Sequence, residues 1–305
     1  MQFRRLDPLA NAGPYQRLLK SPVKSFTLNE AQYDRIKERR PELIVTEGEA
    51  AVIGHPYRDF LEVHYAFPEF EPFRDRFADL FEQMAAASSK QEAPRGILLS
   101  FRDRPNRSMA DTVFWSTMLA EGPQWVEMNW IAVPEQPEPS DDLEGGFKVR
   151  EATAADNDAI VSIEAEATGK APLSATGLAS LQENARWLRL IVDGSGKPVG
   201  FIALRSEPGG WGIIEQIALR ESVRDALRDP ALHWSIAYLR NNGGRRQRRR
   251  VYIDDTAELS PLRAAGFTPG EAGLEYTRLV DLNEVKSQIE ERQAHGTLIK
   301  FGDWR

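Results

Sequence analysis

Residues 134–146, Pro-Glu-Gln-Pro-Glu-Pro-Ser-Asp-Asp-Leu-Glu-Gly-Gly, constrain the fold more than any other stretch of the chain. Their single large apolar side chain is Leu143, so the segment brings almost nothing to a core. Prolines stiffen its first half by fixing φ and removing N–H donors, and the two glycines at its end let the chain turn. The chain has 305 residues, and a domain averages roughly 150. The stretch is therefore expected to be a linker between domains at 1–133 and 147–280, followed by a tail at 281–305.

Past the linker, 147–151 has the pattern of a short strand. Thr153 with Asp156 three residues later resembles a capping box opening a helix that carries Ile160, Ile163 and Ala167. A second helix is expected over 174–186. Strands at 188–192 and 199–204 flank Asp193-Gly-Ser-Gly196 as a hairpin, and a third strand covers 211–219. Asp229-Pro230 reads as a helix start, with that helix running to Arg240. A strand at 249–254, a short helix stopped by Gly266 and a strand at 274–280 complete the order βααβββαβαβ.

The first half repeats the closing order strand, helix, strand, helix, strand. A helix at 30–39 precedes strands at 43–46, 50–53 and 60–66. Phe70, Phe73, Phe77, Leu80, Phe81 and Met84 fall on one face of a helix over 70–87, at core spacing. A strand at 96–101, a helix at 109–120 and a strand at 125–133 follow. The repeated order suggests an ancient duplication.

The formal net charge of -7 opposes binding to nucleic acid or anionic membrane through the overall field. Absence of cysteine removes disulfides, thiolate nucleophiles and cysteine-ligated zinc. His55, His64, His233 and His295 lie far apart with no metal-ligand spacing, so no metal is expected. The start, Met-Gln-Phe-Arg-Arg, lacks the apolar run of a secretory signal, and no stretch reaches the roughly 20 apolar residues of a membrane span. A cytoplasmic location is the expectation, with no membrane partner.

Three segments carry a resemblance: Val149-Arg-Glu-Ala-Thr153 with Asp156, Gly196-Lys-Pro-Val-Gly-Phe-Ile202, and Leu262-Arg-Ala-Ala-Gly-Phe267. In this order they resemble the opening strand and helix, central hairpin and late helix of the GNAT superfamily of N-acyltransferases. Phe114-Trp115 through Glu121-Gly122, with the strand at 125–133, resembles the late helix and strand once more. The resemblance implies an α/β (α+β) fold of two tandem GNAT-like domains, each a mixed, mostly antiparallel sheet flanked by helices.

It further implies an N-acetyltransferase with acetyl-CoA as co-substrate, acting on a small-molecule or peptide amine by direct attack and without a metal. The backbone of Ile217, Ala218 and Leu219 would bind pantetheine, Arg220 and Arg224, with Arg228, would hold the phosphates, and Glu215 would be the base. If strand neighbours shield Glu215, its pKa is expected to rise. The corresponding residues in the first half are Glu62 and His64.

The chain departs from the family in two places. The phosphate loop has no glycine in Pro68-Glu-Phe-Glu-Pro-Phe-Arg74 or in Arg220-Glu-Ser-Val-Arg-Asp-Ala226, and Glu69 and Glu71 would repel phosphate. The family's late-helix tyrosine is replaced by Leu262, with Trp115 near that position in the first half, leaving Tyr252 or Tyr276 as other acids. These departures keep open a non-catalytic ligand-binding or interaction protein as the alternative. The run Arg245-Arg-Gln-Arg-Arg-Arg250 offers a nucleic-acid reading, but without interleaved aromatics a solvated turn and strand edge fits it better.

Overall fold

The computed structural model describes residues 14–25, 28–88, 96–102, 107–117 and 119–278. The chain forms two compact units, the first holding residues up to Gly122 together with those from Leu274 onward, the second holding Pro123–Gly273. No described helix is long and apolar enough to cross a membrane.

In the first unit the order is α1 (Pro14–Lys20), β1 (Val23–Lys24), α2 (Glu30–Arg39), β2 (Ile44–Glu47), β3 (Ala50–Tyr57), β4 (Phe60–Phe67), α3 (Phe70–Ser88), β5 (Gly96–Arg102) and α4 (Arg107–Thr117). Asn29 and Gln32 form a reciprocal capping box that starts α2 where the polar pattern predicts a helix. Strands β2, β3 and β4 pair antiparallel, and β4 pairs parallel with β5. Phe73, Phe77, Leu80, Phe81 and Met84 of α3 are buried, as their spacing predicts. Tyr65 of β4 stacks on Phe73 at 4.8 Å and meets Phe77 at 5.2 Å, locking helix to sheet.

The next strand, β6 (Ala120–Trp130), enters the second unit at Pro123. There follow β7 (Asp142–Leu143), β8 (Phe147–Glu151), α5 (Asn157–Thr168), α6 (Ala175–Asn184), β9 (Trp187–Val192), β10 (Pro198–Glu207) and β11 (Trp211–Leu219). After them come α7 (Arg224–Asn241), β12 (Arg246–Tyr252), α8 (Thr256–Ala265) and β13 (Thr268–Arg278). The sheet of this unit runs β7-β8-β9-β10-β11-β12-β6. Every pairing is antiparallel except β11 with β12. One core lies against α7 and α8, and a second holds Ile160 and Ile163 of α5 with Leu178 and Leu181 of α6.

The chain does not divide at 134–146. Those residues lie within the second unit, where Val133 N–H donates to Arg245, Asn241 Nδ2 donates to the Pro137 carbonyl, and Asp142–Leu143 pairs with β8. The units part instead within β6 and β13. From Trp125 onward β6 pairs with β12, while Leu274 of β13 is buried in the core of the first unit. Each unit is thus completed by a closing strand from the opposite half of the sequence. Composition marks the proline-rich segment but carries no signal for exchanged strands.

Two further expectations change. Helix α7 begins at Arg224, after a 3-10 turn over Glu221–Val223, so Pro230 lies inside it and Asp229 does not start it. Proline costs one backbone hydrogen bond there, and burial of Leu227, Ala231, Leu232 and Trp234 against the sheet offsets it. Strand β12 spans Arg246–Tyr252 rather than 249–254. The helix expected near Leu282–Arg292 and the rest of the 281–305 tail fall outside the described residues.

Helix α8 ends as its sequence predicts, with Gly266 in the left-handed region at φ 110°. A Cβ at this position would come within 3.0 Å of Trp130 Cζ2. Gly266→Ala is therefore expected to lower stability by about 1–2 kcal/mol, measurable as a fall in the denaturant midpoint with an unchanged slope.

Candidate functional site

The parallel pairing of β11 with β12 covers only Trp211↔Arg246, Gly212↔Gln247 and Ile213↔Arg248, after which the strands diverge. Past Ile213, no strand pairs with that edge of β11 among the described residues. Its other edge stays paired with β10 through Leu219↔Gly200. A cleft of about 140 Å³ opens beside the diverging ends. Its walls include Ile217 and Leu219 of β11, Arg224, Arg228 and Leu232 at i, i+4, i+8 on α7, Arg249 of β12, and Leu262 of α8.

Ile217 and Leu219 thus reach the cleft, while the Ala218 side chain belongs to the core on the opposite face of the sheet. Arg249 is buried at 7% exposure. It pairs with Glu258 of α8 through Nη2, and its buried Nη1 has no hydrogen-bond partner among the described residues. A buried unpaired guanidinium N–H is costly unless something accepts from it.

Arg220 does not line this cleft. Its guanidinium donates to Glu166 Oε2 at 2.5 Å and Ser162 Oγ at 3.2 Å, and the Glu221 N–H donates to Glu166 Oε1 at 2.9 Å. The Glu166 carboxylate of α5 therefore sits where the sequence resemblance expects a phosphate. The Glu221 N–H and the Arg220 guanidinium together outweigh desolvation and hold Glu166 below the usual carboxylate range. Arg224 and Arg228 remain on the cleft wall, and Arg228 lies 3.5 Å from Asp225.

Glu215 occupies a β-bulge. The register of β10 with β11 steps from Ala203↔Gln216 to Leu204↔Ile214, leaving Glu215 unopposed. Ile214 and Ile217 consequently face the same core, and Glu215 and Gln216 both turn to the α5 face, where Gln216 Nε2 bonds Glu164. Arg205 lies between Glu215 and Glu207 and pairs with both. Glu207 in turn pairs with Arg248, which lies 3.8 Å from Glu127. Burial would lower the Arg205 pKa, but Glu215 and Glu207 outweigh burial and raise it. Arg250 also lies 3.8 Å from Glu127, so Glu215 is one member of a network of three arginines and three glutamates.

That network also accounts for the arginine run. Strand β12 lies between β11 and β6, so it is neither a solvated turn nor an edge. Gln247 and Arg249 are buried, Arg248 pairs with Glu207, and Arg250 lies over the Trp125 ring at 4.1 Å. Of the two tyrosines considered as acids, Tyr252 is exposed, and Leu262 at the position of the family's tyrosine is buried. The Tyr276 side chain is outside the described part.

The first unit repeats the divergence: β4 pairs with β5 only over Phe60↔Gly96, Leu61↔Ile97 and Glu62↔Leu98. Here the chain itself fills the free edge. Val23 and Lys24 pair with Phe67 and Ala66, and Ser25 exchanges hydrogen bonds of 3.1 Å with Tyr65. Helix α3 then begins at Phe70 with acidic Glu71 in its first turn, leaving no loop of backbone donors for an anion. Glu62 lies between His55 and His64, at 3.3 and 3.4 Å. Burial opposes its charge, but the two histidines outweigh burial and hold Glu62 well below the usual range. Neither sequence spacing nor the scattered histidines signalled this grouping, which the hairpin register creates.

No protein-family model matches the sequence, and no curated protein matches it. In structure the chain is similar to a GCN5-related N-acetyltransferase from Sphaerobacter thermophilus, with TM-score 0.51, 19% identity and 76% of each chain covered. It is also similar to a functionally unknown conserved protein from Staphylococcus epidermidis, with TM-score 0.51, 10% identity, and 80% of this chain and 97% of that one covered. A tandem GNAT protein from the clavulanic acid biosynthesis pathway aligns at TM-score 0.48 and 12% identity, covering 76% of this chain and 80% of that one. At 19% identity the likeness to the Sphaerobacter protein is one of fold, and that fold is the fold of a GCN5-related N-acetyltransferase.

Arg205 is only a fifth exposed, so Arg205→Met leaves Glu207 and Glu215 adjacent without their shared cation. Breaking such a pair costs about 3–5 kcal/mol when it is fully buried, and about 2–3 kcal/mol is expected here at neutral pH. Urea unfolding of both proteins at neutral pH measures it.

Proposed function

We propose that the second unit is an acyl-CoA-dependent N-acyltransferase site, with acetyl-CoA as donor and an amine as acceptor. The observation that carries this reading is the divergence of β11 from β12 beside the cleft holding Ile217, Leu219, Arg224 and Arg228. An extended pantetheine arm can pair with the unpaired β11 edge as a strand would. Arg224 and Arg228 then supply charge-assisted contacts to the phosphates in place of loop N–H groups. At about 140 Å³ the cleft holds a narrow arm and leaves the nucleotide outside, because pockets that enclose whole small ligands are roughly 300–1,000 Å³.

On the opposite face of β11, Glu215 is assigned as the base. The acceptor amine gives up its proton to Glu215, directly or through water, and its nitrogen attacks the thioester carbon. The tetrahedral intermediate then expels the thiolate as the C–S bond breaks. Leu262 cannot donate a proton, so the thiolate leaves unprotonated and takes its proton from water. In this position Glu215 shares Arg205 with Glu207.

A second reading is favoured by Glu166, whose carboxylate occupies Arg220 and the Glu221 N–H. In this reading the unit binds an acyl-CoA or another elongated anion without turning it over.

Calorimetric titration with acetyl-CoA at moderate salt is expected to give one site per chain, since Val23–Ser25 fill the corresponding edge of the first unit. Arg224→Ala together with Arg228→Ala should weaken binding at least tenfold, whereas Glu166→Gln should tighten it severalfold by releasing Arg220. Glu215→Gln should keep binding and lower turnover on a panel of amines about 100-fold or more. Binding without turnover on any amine selects the second reading, and no heat at millimolar acetyl-CoA overturns both.

A further inference from the structure

We propose that His55, Glu62 and His64 form a binding site for a divalent zinc-like cation in the first unit. His55 and Glu62 are directly paired across the β3–β4 hairpin, which puts their side chains on one face of the sheet. His64, two residues beyond Glu62, shares that face. The three side chains therefore converge through backbone register, on paired strands that hold ligand positions better than loops do.

The distances suit a metal site as well as a hydrogen-bonded cluster, in which His55 Nδ1 and Glu62 Oε2 share a long bond. His55 Nδ1 and His64 Nε2 lie 3.3 and 3.4 Å from the same oxygen, Glu62 Oε2. A charge-assisted N–H···O bond would be about 2.7–2.9 Å, so both contacts are long for hydrogen bonds. They match the edges of a tetrahedron around zinc, about 3.3–3.4 Å for bonds of about 2.0–2.1 Å. All three ligand atoms lie within 4.8 Å of one another.

The chemistry of the donors selects the ion. Two imidazole nitrogens and one carboxylate oxygen suit zinc and its neighbours in the first transition row, while calcium and magnesium take oxygen ligands. His64 is 1% exposed and His55 6%, so the site is dry enough for a cation to gain fully from its ligands. Glu62 is the least buried of the three, its side chain 12% exposed. Three protein ligands leave a fourth position for water or a small anionic or carbonyl ligand entering on its side.

The second unit supplies a comparison. Counting from the first parallel pair in each unit, Phe60↔Gly96 and Trp211↔Arg246, Glu62 corresponds to Ile213 and His64 to Glu215. Their cross-strand partners are His55 and Arg205. The same three places thus hold His-Glu-His in the first unit and Arg-Ile-Glu in the second, and only the former set can ligate a metal.

The test uses the full chain, stripped with chelator and then titrated with zinc against a chromogenic competitor, and separately with cobalt. One zinc per chain is expected, together with the intense visible d–d bands of four-coordinate cobalt. His64→Gln and Glu62→Gln should each weaken zinc at least about 100-fold, the upper end of what even outer-shell changes cost. Far-UV circular dichroism of the metal-free variants checks that they fold. The cobalt spectrum of the unaltered chain is decisive without any variant. No stoichiometric uptake, only the weak bands of six-coordinate cobalt, or full uptake retained by both folded variants would each overturn the site and leave a hydrogen-bonded His-Glu-His cluster.

Discussion

A parallel strand pair that separates after three residues creates a problem that the rest of each unit must solve. Buried backbone N–H and C=O groups are almost always paired, and divergence strips partners from the free edge. In the first unit Val23–Ser25 fold back and supply them, at the cost of closing the edge to any ligand. In the second unit Ile217 and Leu219 face a cleft. The edge there is left to water or to an extended ligand with its own amides. One structural device thus has two outcomes, decided by whether a spare segment of chain lies within reach.

The cleft also explains why an arginine-rich strand is tolerated inside a sheet. Charge is costly at such depth unless paired. Alternation sends Arg248 and Arg250 to one face, where Glu207 and the Trp125 ring receive them, and Arg249 to the other, where Glu258 receives one nitrogen. The buried Nη1 of Arg249 has no hydrogen-bond partner among the described residues.

Much of the fold was legible in residue patterns. The phenylalanine stripe of α3, the Thr153–Asp156 capping box of the second unit and the glycine stop of α8 are local devices, and their spacing is their mechanism. Misread elements depended on distant partners. Asp229-Pro230 has the local chemistry of a helix start, yet burial on the sheet carries α7 through it. Exchange of β6 and β13 between units leaves no periodic trace. Side-chain groupings follow the same division: Ile217, Leu219 and Arg224, neighbours along the chain, line one cleft. The engagement of Arg220 by Glu166, 54 residues away, and the grouping of His55 with Glu62 were not legible in the sequence.

The two units differ in a few positions of a shared local frame. Their divergent strands, paired over three residues each, keep the same frame. What differs is the content of three positions on the face away from the principal helix. In the second unit a bulge turns Glu215 toward Arg205, so the carboxylate is held by a cation from its own sheet. In the first unit β4 has no bulge, and regular alternation aligns Glu62 with His64 opposite His55. A single inserted residue therefore separates two chemistries: with it, a carboxylate projects from a strand whose free edge faces a cleft. Without it, two strands in strict register present three ligand atoms to one point, while the edge beside them is closed by the chain's own backbone.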